Sequence, residues 1–156
     1  MIQRLQTLYL LLAAIAMGAT FYFPLASVYG TDDSLVLYSY KIVSLVPDNT
    51  PALPDYFMWP LQVITALTIF LAFVAIFLFK NRKRQLNVVR FAIIILLVMI
   101  ALFFFYYEKE LGLAAAGIVG YDTGAYLPVV SFIFFILAYR GIIHDERLIR
   151  SADRLR

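Results

Sequence analysis

No charged residue occurs between Leu8 and Val28, and three further stretches, about 57–79, 91–107 and 126–143, are apolar along almost their whole length. A helix rises about 1.5 Å per residue, so the second stretch reaches roughly 35 Å. A bilayer core needs about 20 apolar residues. The third and fourth stretches are at the short end of the spanning range and stand upright or borrow flanking residues. Apolar residues make up 63% of the 156, and charged residues only 15%. Globular domains carry about 25% charged residues, so an ordinary soluble enzyme is ruled out. The predicted fold class is an all-α membrane protein. It is a single integral domain over 1–156, a four-transmembrane-helix bundle with a small β-containing outer loop region. The first span is read as about 6–27. Its basic start and the small residues at Met17, Gly18 and Ala19 resemble a signal peptide, but the apolar run continues to Val28, too far for a typical cleaved segment. A retained helix is expected.

Charge sets the expected orientation. With the chain start, loop 80–90 and tail 144–156 on one side, that side holds eleven of the thirteen Lys and Arg residues, counting Arg140 with the tail. Only Lys41 and Lys109 fall on the other side, in outer loops 28–56 and 108–125, together with seven of the ten acids. The positive-inside rule then predicts a bacterial inner (cytoplasmic) membrane protein with both termini cytoplasmic. Nine of the eleven tyrosines fall on the outer side, where amphipathic rings settle at headgroup level.

The outer loops are the soluble-looking part. Residues 34–46 read SLVLYSYKIVSLV, flanked by turn residues at 31–33 and 47–49. One or two strands are expected there, needing a partner such as 116–121, because a lone hairpin is marginal in water. Pro47, Pro51, Pro54 and Pro60 impose an extended return path, with Pro60 in the first turn of the second helix and Pro128 in the first turn of the fourth.

The counts exclude several classes. There is no cysteine, so there are no disulfides, thiolate metal sites, iron–sulfur clusters or cysteine nucleophiles. The single histidine, His144, is expected to be solvated just past a helix end. It cannot supply a bis-imidazole haem site or a histidine-rich zinc site within one chain. No cofactor, metal or catalytic residue is expected. Nothing resembles a nucleic-acid-binding motif. No acid sits in the middle of a span, which disfavours proton-coupled transport.

Small and weakly polar residues recur on helix faces: Thr7, Ala14 and Gly18 in the first span, Gln62, Thr65 and Thr68 in the second, Ser131 in the fourth. Such residues let membrane helices approach closely and hydrogen-bond. They read as packing seams. The sharper alternative is a small pocket around Gln62 for a lipid headgroup or quinone. Arg82, Lys83 and Arg84, with Arg147, Arg150, Arg154 and Arg156 in the tail, are expected to contact anionic lipid at the cytoplasmic face or a protein partner. The tail itself reads as a short amphipathic helix on the inner leaflet or as a recognition peptide.

The opening MIQRLQTLYLLLA of residues 1–13, the GAYLP of 124–128, Tyr139, Arg140 and Gly141, and the DERLIRSADRLR of 145–156 carry a resemblance over the whole chain. They resemble an uncharacterised Bacteroidota family of small four-span inner-membrane proteins, a domain of unknown function. The resemblance implies location and architecture and brings no catalytic residues. Some members carry a transcription-termination label, which this chain does not support, having no phosphate loop of the G-x-x-x-x-G-K-[ST] type.

The expected function is a non-enzymatic accessory or scaffold subunit of a larger envelope complex, partnered by other membrane proteins. The alternative is a lipid- or quinone-binding membrane enzyme or carrier using Gln62 and Thr65 with Tyr106, Tyr107 and Glu108. A self-associating channel would need several polar faces, and only the second span offers one.

Overall fold

The computed structural model describes residues 3–30, 34–46 and 53–153. The turns expected at 31–33 and 47–49, Pro51, and Arg154 and Arg156 lie outside the described residues.

Helix α1 covers Gln3–Ala19 and stops well short of the expected 6–27. Local chemistry explains the stop. The Met17 carbonyl accepts from both the backbone N–H and the hydroxyl of Thr20, at 3.2 and 2.7 Å. Pro24 then has no N–H to carry a helix onward. The following Ser-Val-Tyr favours a pleated surface, and Ala26–Gly30 forms strand β1. Strands β2 (Ser34–Leu37) and β3 (Ile42–Ser44) follow, within the stretch expected to be β.

A short 3-10 turn, Asp55–Met58, leads into α2 (Trp59–Phe77), with Pro60 in its first turn as the missing N–H requires. After a second 3-10 turn, Asn81 caps α3 (Arg82–Leu102) by accepting from the Arg84 N–H at 3.3 Å. The helix therefore begins nine residues before the expected 91, and takes in the basic loop. It continues through a π-helical turn, Phe103–Tyr107, into α4 (Glu108–Ala115). Ala116, in the left-handed region at φ 49°, turns the chain into β4 (Gly117–Tyr121). Helix α5 runs over Thr123–Asp153 without a break. Pro128 thus lies inside α5 rather than in its first turn, and the tail continues the last helix instead of forming a separate one.

The four strands pair antiparallel in the order β3-β2-β1-β4. The expected partner segment is present, but it pairs with β1, a strand hidden in the presumed end of the first span.

Three helical stretches are long and apolar enough to cross a membrane, Tyr56–Lys80, Arg82–Ala115 and Thr123–Leu148; Leu5–Ala19 is a shorter apolar helix. The helices pack in cyclic order, α1 on α2, α2 on α3, α3 on α5 and α5 on α1. Each buries one stripe. On α3 it is Val89, Ala92, Leu96 and Met99, while Phe91, Ile94, Leu97 and Val98 face outward. Large apolar side chains on the outer faces are the pattern of helices solvated by hydrocarbon rather than water.

Candidate functional site

Two polar clusters sit at opposite ends of the helical body. At the end away from the sheet, α1 and α5 meet through Gln6 and Asp145. Both side chains are buried, and Gln6 Nε2 donates to Asp145 Oδ2 at 2.5 Å. The helices come close here because Gly141, one turn before Asp145, has no side chain. A Cβ at this position would stand 3.0 Å from Gln6 Cγ. Arg82, at the start of α3, reaches across and donates from Nη1 to the Asp145 carbonyl at 3.1 Å. Gln85, also buried, donates to the Ala75 carbonyl at 2.9 Å and ties the start of α3 to the end of α2. Arg90 lies over the Tyr139 ring, 5.9 Å from its centroid, and donates to its hydroxyl at 3.3 Å. Helices α1, α2, α3 and α5 are thereby cross-linked by polar contacts at this end.

At the sheet end, the Ser39 hydroxyl donates to the Thr20 carbonyl at 2.8 Å, which fastens the β2–β3 turn to the end of α1. Ser27 Oγ of β1 donates to Asp122, just before α5. The buried Tyr107 hydroxyl donates to the Phe57 carbonyl at 2.9 Å, and the two rings meet edge-on at 4.8 Å. Gly124 permits the approach of α5 to Pro24: its N–H donates to the Pro24 carbonyl at 2.8 Å, and a Cβ would lie only 2.5 Å from that oxygen. Tyr121 hydrogen-bonds Glu108, and this bond, with a smaller contribution from burial, pushes the phenol up to about 12.

The seam residues divide. Ser131 is buried and donates to the Ala13 carbonyl across the α1–α5 contact at 3.0 Å. Thr65 and Thr68 are buried, and each satisfies its hydroxyl on the carbonyl four residues back, at 2.8 Å. Ala14 is buried and Thr7 half-buried, the latter engaged in a polar contact. Gly18 is different: a Cβ there would meet nothing within 4 Å, so the Ala14–Gly18 pair does not mark a close helix approach.

Gln62 is exposed and does not join Thr65 and Thr68. A step of three residues falls about 60° short of a full turn, so a series spaced by three drifts around the helix. Gln62 lies at the drifting end, whereas Thr65, Thr68, Ala72 and Ala75 keep to the buried face.

Among the basic residues, Lys83, Arg84 and Arg147 are exposed, while Arg82 is half-buried and turned inward to α5. Arg150 lies on the described helix backbone. His144 is exposed, within the helix and not beyond its end.

Sequence reasoning missed Gln6, Gln85 and Asp145 as an internal cluster. The available signal was a glutamine within the apolar first helix, together with Gly141 and Asp145 one turn apart on the last. Both lie in the end motifs quoted above, and the fold brings those motifs into contact. Among the described residues, no buried polar side-chain atom lacks a hydrogen-bond partner and no three His, Asp or Glu side chains cluster as metal ligands would.

Apolar helices tied at both ends by internal polar contacts and covered at one end by a small sheet define a helical protein compatible with a membrane. The chain belongs to the family described as Domain of unknown function (DUF4293), whose model matches residues 2–155. No curated protein matches the sequence.

Proposed function

We propose that this protein is a non-enzymatic accessory or scaffold subunit of a larger complex in the bacterial inner membrane. It crosses four times as a four-helix bundle, with both termini in the cytoplasm and the sheet outside. One observation carries the reading. The buried polar side chains Gln6, Gln85, Ser131 and Asp145 all bond across the body or between its elements, and Arg82 joins them, so the interior chemistry serves assembly. The freely projecting cations Lys83, Arg84 and Arg147 are then the groups offered to anionic lipid and to protein partners at the cytoplasmic face.

The test is purification of the tagged protein from its native membranes in mild detergent. The reading expects a stoichiometric membrane-protein partner, lost from the Lys83→Glu, Arg84→Glu double variant although that variant purifies as a folded protein. A partner-free protein that turns over a lipid or quinone would overturn it.

A further inference from the structure

Glu108 and Lys109 follow directly on the apolar run of α3 and its π turn, where the helix leaves its most hydrophobic stretch. Both line an open groove of about 470 Å³ between α4 and β4. The walls are apolar, and three of their side chains are unusually bare: Phe105 is 80% exposed, Leu113 68% and Ile118 87%. Phe104 completes the wall and lies tilted against Tyr121, with ring centroids 5.2 Å apart. One end of the groove thus offers a carboxylate beside an ammonium, and the rest offers hydrocarbon.

An anion alone would meet repulsion from Glu108, and a cation alone repulsion from Lys109. A zwitterion satisfies both. From this charge complementarity we propose that the groove binds a phospholipid with a primary-amine headgroup. Lys109 takes the phosphate, Glu108 takes the ammonium, and the acyl chains lie along Phe105, Leu113 and Ile118. The site is separate from the Gln62 face and does not depend on the accessory-subunit reading.

The amine must carry N–H donors for a charge-assisted bond to Glu108. A methylation series therefore tests the proposal with no mutation at all. The full-length protein, stripped of lipid in detergent, is given dioleoyl phosphatidylethanolamine, its mono- and dimethyl derivatives, phosphatidylcholine and phosphatidylglycerol, and retained lipid is counted by native mass spectrometry. Phosphatidylethanolamine should be held about tenfold better than phosphatidylcholine or phosphatidylglycerol, the size of one charge-assisted hydrogen bond, with the methylated forms graded between. Glu108→Gln should abolish that preference, whereas Lys109→Ala should lower the retention of every lipid, because the phosphate is common to all of them. Soluble phosphoethanolamine should not compete at equal concentration, since it has no chains for the wall. Equal retention of all the lipids, a preference untouched by Glu108→Gln, retention untouched by Lys109→Ala, or effective competition by the soluble headgroup would overturn the proposal.

Discussion

The most consequential single contact is that between Gln6 and Asp145, because both groups are buried and lie at opposite ends of the chain. Removing one partner strands the other. Asp145→Ala should cost about 1–3 kcal/mol, the desolvation penalty of an unsatisfied amide. The double variant Gln6→Leu, Asp145→Val should recover part of that loss, since apolar replacement of both partners removes the unmet demand. Denaturation in mixed detergent measures both. At the other end, Tyr121 gives a pH signature. Its pKa, normally near 10, is pushed up to about 12, so the folded protein keeps a proton that the unfolded chain releases first. The unfolded state binds fewer protons across that window, and stability must fall with rising pH there. The contribution is complete below pH 10 and is lost as pH climbs toward about 12. An ultraviolet titration of tyrosinate should show a late-titrating fraction that shrinks by one ring in Glu108→Gln.

Among the elements, the α4–β4 junction bears the clearest strain. Ala116 adopts a left-handed conformation in which its Cβ crowds the backbone. Ala116→Gly should therefore stabilise the protein by about 1 kcal/mol, read as a higher midpoint in the same denaturation experiment. A lower midpoint would mean that the glycine's extra freedom in the unfolded chain outweighs the relief. The elements also show where the sequence was readable. The long apolar helices and the β character of 34–46 and 116–121 follow from hydropathy and turn residues. The end of α1 did not, because Phe21, Tyr22, Leu25 and Val28 are as apolar as a membrane helix. Only the hydrogen bonding of Thr20 and the interruption at Pro24 distinguish them. Gln62 misled for a geometric reason, the drift of a three-residue spacing. Asp145 misled for a compositional one, since an acid in a charge-rich tail reads as solvated when its partner lies at the far end of the chain.

For the whole molecule, threading turns on α1. At 17 residues it is about 25 Å long, shorter than a bilayer core of about 30 Å. Local thinning accommodates such a mismatch at modest cost. The chain has no cysteine, so single introduced cysteines report without background. Four crossings predict that an impermeant maleimide labels Leu45→Cys in intact spheroplasts. It should label Ile2→Cys and Asn87→Cys only after the membrane is opened. Labelling of Ile2→Cys together with Leu45→Cys would show that α1 does not cross.

The strand order also governs how the protein comes into being. β1 sits between β2 and β4, and its register with β4 joins residues about 90 positions apart. A ribosome adding about 5–20 residues per second needs roughly 5–18 s to make that interval. For that time β1 has one neighbour and a bare row of backbone donors and acceptors. The sheet closes only when α2, α3 and α4 have been made and the chain returns as β4. The last strand is thus a latch: it can pair with β1 only once the intervening helices have brought the chain back beside it.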